Sequence, residues 1–387
     1  MPSWLPLLLG FLTAIGPIST DMYLPAFPAI EASLHSAAGT AQVTLATWFL
    51  GLACGQIVQG SLADRFGRRA PLLVGTAIYT AASIGCALAT DMASLSLFRL
   101  LAALGGSASA VIPRAVVRDL TEGLASARLM SRLMLVMGVA PILAPTLGGL
   151  LLDLAGWRAI FWVSAAYGLA STLLVWRLLP DTLPVELRTR LGATGLLARY
   201  IEVARDRSFM AHALLGGAAM FTVFAFISAA PALFINGFGL SPRSFALLFA
   251  VTASGFIGAS QLNPWLVARF GPGRVITGAT LTAAAAVLLL LAGALTGIGG
   301  LPGIFVPAVL ALATSGLILP NAAVGALARH GARAGSASAL LGTLQYAMAA
   351  MGSMAVGLIG EGRATPMALV MLLGVLLALA ADAWRRR

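Results

Sequence analysis

The sequence predicts an all-α integral membrane fold of about twelve transmembrane helices, arranged as two parallel six-helix repeats around a central cavity. Three observations predict it. Of 387 residues, 59% are hydrophobic and only 10% charged, with a mean hydropathy of +0.95, too few polar groups to cover a water-soluble globule. Apolar stretches long enough to cross a hydrocarbon layer of about 30 Å recur along the whole chain. The second half also repeats a pattern of the first.

In order, the first six stretches run from Trp4 to Ile30, Ala41 to Ala63, Pro71 to Thr90, Leu95 to Val117, Leu133 to Leu152 and Trp157 to Leu178. The start, Met1 to Leu5, carries no basic residue, and the apolar run beyond it is too long for a signal-peptide core, so it reads as the first span. Residues 180–208 form the longest polar interval and read as a cytoplasmic linker, with Leu196 to Ala204 able to lie as an amphipathic helix on the membrane surface or to stay solvated. Six further stretches follow, from Phe209 to Ile235, Ser244 to Val267, Val275 to Gly297, Gly303 to Leu327, Ser336 to Ile359 and Pro366 to Ala383. The expected domains are therefore a bundle over residues 1–179, the linker, and a bundle over residues 209–387.

Every basic residue other than the three histidines is arginine, and the arginines set the orientation. With both termini cytoplasmic, only Arg158, Arg243 and Arg363 lie outside, while the many loop arginines, including Arg65, Arg68, Arg69 and Arg385 to Arg387, lie inside. The positive-inside rule predicts that arrangement. The net charge of +11 is dispersed between apolar runs instead of gathered on one face, which argues against a nucleic-acid partner. Cys54 and Cys86 sit in apolar runs without ligand-like spacing and read as small buried hydrophobes, so no metal site or disulfide is expected. No nucleophile and base pair or phosphate-cradling loop is found, so an enzyme is not expected.

The repeat pairs Gly51 to Gly67 (GLACGQIVQGSLADRFG) with Gly255 to Gly271 (GFIGASQLNPWLVARFG), each closing the second span of its half in the same orientation. Parallel repeats of this kind enclose a substrate site between the halves of alternating-access carriers.

Gly60 to Arg69 reads GSLADRFGRR and resembles the cytoplasmic loop motif of the major facilitator superfamily. Gly60 and Gly67 permit close approach and a sharp turn, Asp64 can face the positive end of a neighbouring helix, and Arg65 or Arg68 can pair with a carboxylate. The resemblance implies a conformational latch in place of a plain basic turn. Gly16 to Pro28 (GPISTDMYLPAFP), Arg99 and Arg118-Asp119 within Leu97 to Leu120, and Ala140 to Leu150 (APILAPTLGGL) with Gly156-Trp157-Arg158 resemble the Bcr/CflA branch of drug:proton antiporters, and Pro320-Asn321-Ala322 and Ala334 to Gln345 extend the likeness. Pro145, Gly148 and Gly149 are similar to the antiporter motif of the fifth span, with Ala144 in place of its first glycine; close helix packing alone would also select small residues here. What the resemblance implies is proton-driven efflux of drugs or small amphiphilic metabolites across a bacterial inner membrane, of the bicyclomycin or chloramphenicol resistance type, by a monomer that uses the proton gradient and no cofactor.

Ionisable groups inside a bilayer are costly and mark function. Asp21 alone among the acids lies well inside a span, about 13 Å from its outer end, and Arg99 lies about 8 Å deep in the fourth. A direct or water-bridged pair is feasible, with proton or cationic-substrate handling at Asp21 tuned by Arg99, or a pair that only fixes packing. Pro17 and Pro25 should open the helix around Asp21. Arg114, nearer the inner end, is expected to reach the interface. Tyr23, Trp48, Phe49, Phe221, Phe224, Gln345 and Tyr346 are candidates to line the cavity. Uptake by symport is the alternative transport reading, and a membrane receptor a further one.

Overall fold

The computed structural model describes residues 4–37, 39–120, 129, 140, 143–188, 193–330, 334–359 and 363–387. All regular structure among them is helical. The first half comprises α1 (Leu5–Ser33), α2 (Thr40–Phe66), α3 (Arg69–Leu88), α4 (Met92–Leu120), α5 (described over Leu143–Ala155) and α6 (Trp157–Leu178). The second comprises α7 (Arg207–Gly237), α8 (Pro242–Phe270), α9 (Pro272–Thr296), α10 (Gly300–Leu327), α11 (Ala334–Ile359) and α12 (Ala364–Arg386). All but α5 are long and apolar enough to cross a membrane; the first part of the expected fifth span lies outside the described residues. Between the halves stand a short 3-10 turn, Val185–Leu187, and a linker helix, Ala193–Arg205.

Proline accompanies the breaks in two helices, while α4, α8 and α10 run on through Pro113, Pro264, Pro307 and Pro320. α1 is assembled from Leu5–Thr13, Ile15–Asp21, a 3-10 turn at Leu24–Ala26 and Phe27–Ser33, with Pro17, Pro25 and Pro28 each withholding an N–H donor. α7 loosens after Pro231 into a π-helical turn, Ala232–Gly237. These irregular stretches meet, since the turn Leu24–Ala26 packs against α7 and α8.

Each half packs by the same plan. α2 lies on α4, and α3 on α4 and α6; correspondingly α8 lies on α10, and α9 on α10 and α12. Gly51 of α2 faces Leu100 and Ala103 of α4, as Gly255 of α8 faces Val309 and Ala313 of α10. Gly67 ends α2 with φ +89° and Gly271 ends α8 with φ +77°.

The face carrying the first residues of α1 and the last of α12 is here the terminal face, and the opposite one the distal face. Toward the distal face a single apolar core runs through both halves, joining Tyr23, Phe27 and Ile30 to Phe226, Phe234 and Phe249. Toward the terminal face the cores are separate, one in the first half around Leu12, Ala63 and Val116, others in the second around Ile276 and Ile318 and around Phe209 and Leu341. The halves are thus sealed together at one end. Between them α2 and α11 form a seam along their whole length, from the Gly39 carbonyl opposite Gly357, through the Thr343 hydroxyl donating to the Ala53 carbonyl at 2.9 Å, to Asp64 beside Gly335. At the distal end a buried polar cluster joins three helices: Gln42 Nε2 donates to the Ser228 carbonyl at 3.3 Å, and Ser353 Oγ donates to Ser228 Oγ at 3.0 Å and to the Gln42 carbonyl at 3.3 Å.

Candidate substrate pathway and coupling site

Arg99 projects from α4 into a box of aromatic rings. Its guanidinium carbon lies 4.5 Å from the Tyr23 ring centroid, 4.7 Å from Trp48 and 6.0 Å from Phe161, and Nη1 donates to the Ser19 carbonyl at 2.7 Å. The side chain is 2% exposed, and Nε and Nη2 have no hydrogen-bond partner among the described residues. Ring faces supply a desolvated cation with about 2 kcal/mol or more each in favourable geometry, which offsets part of the cost of burial without a counter-charge. The box is itself braced, because Tyr23 hydrogen-bonds Thr44, and Ser19 Oγ shares a hydrogen bond with the Tyr79 hydroxyl at 2.6 Å.

Asp21 and Arg99 make no ion pair in this structure. Arg99 gives its Nη1 instead to the Ser19 carbonyl of α1, two residues before Asp21. Asp21 is 6% exposed, and among the described residues its carboxylate has neither a hydrogen bond nor an ion pair. The other inward acid of α1, Glu31, is occupied: its Oε1 accepts from the backbone N–H groups of Gly39 and Ala41 and closes the turn into α2. Next to Asp21, α5 comes close against α1 at Gly148. A Cβ on Gly148 would run into the Met22 carbonyl, so a larger residue would push α5 off the break in α1. Pro145 and Gly149 are buried on the same helix, with open space beside Gly149.

At the terminal face the loop between α2 and α3 is the hub of a charge network. Arg68 is buried; its Nε and Nη2 reach both oxygens of Asp119 at 2.7 and 3.2 Å, and its Nη1 reaches Asp64 at 2.6 Å. Burial alone would ease the proton off this guanidinium, but the two carboxylates outweigh it and raise its affinity. Asp181, just after α6, accepts the Arg68 backbone N–H at 2.8 Å and pairs with Arg188 at 2.7 Å, while the Thr182 hydroxyl donates to Asp119. Gly67 turns against that carboxylate in a left-handed conformation that has no room for a side chain. Asp64 Oδ2 lies 3.5 Å from where a Cβ on Gly335 would stand, which sets it at the positive first turn of α11. Arg65 instead lies over the Phe66 ring, 5.3 Å from its centroid.

Asp119 and Asp181 escape a reading that ranks acids by depth, because both fall at helix ends. Their common partner would have shown only from the two short loops on one face meeting at Arg68. The Gln42, Ser228 and Ser353 cluster gives no sign in the sequence at all.

The aromatic candidates divide. Tyr23 and Trp48 wall the Arg99 box. Phe221 is buried against Gly352 and Gly374. Phe49 of α2 meets Phe224 of α7 at 4.1 Å between centroids and stacks with Tyr346 of α11 at 6.2 Å, so these three rings bridge the halves. Phe224, Gln345 and Tyr346 keep part of their surface uncovered. Cys86 is buried, but Cys54 is exposed on the flank of α2, contrary to expectation. His330 Nε2 shares a hydrogen bond with Asp206 Oδ2 at 3.0 Å.

Comparison with known proteins agrees with this architecture. The sequence matches the family model of the Major Facilitator Superfamily over residues 9–353. It is 35% identical over 374 residues to an uncharacterized MFS-type transporter, YdgK, of Bacillus subtilis, covering 95% of this chain and 91% of the relative. It is 28% identical over 349 residues to a bicyclomycin resistance protein homolog of Haemophilus influenzae, covering 90% and 87%. Among solved structures, a D-xylose-proton symporter superposes with a TM-score of 0.76 over 96% of both chains at 15% identity, a likeness of fold. A multi-pass helical chain whose halves repeat one packing plan, and which matches the family model over nearly its whole length, belongs to the Major Facilitator Superfamily: it is a membrane transporter and not an enzyme.

Proposed function

We propose that the protein exports drug-like or small amphiphilic molecules across a bacterial inner membrane in exchange for protons, with its terminal face toward the cytoplasm. The observation that carries this reading is Asp21, a buried acid with no partner among the described residues, set on a broken helix one residue from where Gly148 of α5 packs on Met22. The name of the Haemophilus relative supports the drug-efflux part, and the arginines on the terminal face support the orientation.

In this reading the halves rock about the α2 and α11 seam. A carboxyl whose surroundings alternate between wet and dry, and nearer or farther from a guanidinium, changes its proton affinity between the two states. Asp21 then takes a proton while open to the distal side and releases it toward the terminal side as substrate enters. Arg99, held by rings and not by a carboxylate, is a standing positive charge bound to α1 two residues before that acid. The gradient supplies the energy, no cofactor takes part, and one chain suffices.

Proton-gradient-driven efflux in reconstituted vesicles tests this. Asp21→Asn should bind substrate yet fail to move it uphill, and Asp21→Glu should retain partial activity. Uphill export by the Asn variant at the wild-type rate would remove Asp21 from coupling. Accumulation of substrate on the same side as the incoming protons would replace exchange by symport.

A further inference from the structure

A second guanidinium stands in the spanning region, and nothing above employs it. Arg114 lies on α4, about 9 Å before the helix ends at Leu120. Unlike Arg99 it is exposed, and among the described residues it has no carboxylate partner. The acids at its level, Asp64 and Asp119, are both committed to Arg68.

Its direction follows from the packing of α4. Leu100, Ala103, Ser107 and Val111 form the stripe that meets α2, at Gly51, Gly55 and Gly60 in turn, and Arg114 is the next member, three residues on. Gly60 has Val111 on one side and Ala339 of α11 on the other, so this end of the stripe opens toward the second half. Arg114 therefore faces the space between the bundles, below the partly uncovered rings of Phe224 and Tyr346, and does not simply reach for the interface.

We infer that Arg114 is the charge-selecting residue of the pathway, and that the protein favours aromatic compounds bearing an acidic group over lipophilic cations. The inference rests on the transport reading proposed above. Ring faces between the halves take the planar part of such a compound. The unpaired guanidinium donates to its carboxylate or other acidic oxygen, a charge-assisted contact stronger than a neutral hydrogen bond. A cation approaching from the terminal side meets Arg114, which has no acid paired to it among the described residues.

Equilibrium binding to purified protein without a gradient tests this, using three probes of one shape: 1-naphthoate, its neutral methyl ester, and trimethyl-1-naphthylammonium. Wild type should prefer the acid to the ester, and the ester to the ammonium. Arg114→Gln should lose about tenfold in acid affinity and change the ester by less than about twofold. Arg114→Lys should keep the order, and Arg114→Glu should reverse it. An unchanged acid preference in Arg114→Gln, a wild type that prefers the ammonium, or a wild type that binds none of the three would overturn the assignment. Proton exchange can fail in the vesicle assay while this order holds, so the two readings fall separately.

Discussion

Two buried arginines show how differently one side chain can be held. Arg68 is gripped by Asp64 and Asp119 in forked hydrogen bonds, whereas Arg99 is held by ring faces and one carbonyl, leaving two donors unmet among the described residues. The first arrangement is a fastener, and taking one carboxylate away leaves a buried charge under-compensated. Asp64→Asn and Arg68→Ala should therefore cut transport by about tenfold or more, measured as initial efflux in vesicles at equal amounts of folded protein; full activity in both would return Gly60 to Arg69 to an ordinary basic turn. That Arg68 meets a carboxylate and Asp64 a helix start was foreshadowed by their loop motif. The Arg99 box was not, because Trp48 and Tyr23 look like any membrane aromatics until three helices bring them around one cation.

At the scale of elements, the breaks and the repeat were legible and the closure was not. Pro17 and Pro25 announce that α1 cannot be continuous, and Gly51 with Gly255 announces one packing plan used twice. Gln42, Ser228 and Ser353 are small polar residues far apart in the sequence, with no spacing to link them. Their meeting depends on how the halves rest against each other at the distal face. Ser228→Cys with Ser353→Cys, in a chain carrying Cys54→Ala and Cys86→Ala, should cross-link across the 3.0 Å contact under mild oxidation. Because Ser228 is on α7 and Ser353 on α11, both in the second half, the bridge fixes α7 against α11 and leaves the halves free to rock, so transport should survive oxidation; a loss that reduction reverses would show α7 shifting within its own half. Unimpaired transport by the fully oxidised protein would mean that α7 and α11 do not shift against each other.

For the whole molecule, the arginine distribution predicts which face meets the cytoplasm. A protease-sensitive tag on either terminus should survive protease in intact cells and be cut in everted vesicles, while a tag in the α3 to α4 turn near Asp91 should behave oppositely; any other pattern would reverse the proposed orientation. The unequal ends of the molecule carry one more consequence. The distal end is held by a shared oily core, the terminal end by Asp64, Arg68 and Asp119 beside the first turn of α11. Screening acts on charges that water reaches and little on buried ones. Brine should therefore find only the half-exposed Asp64 carboxylate at the terminal end, while the oily distal core offers it no charge to screen.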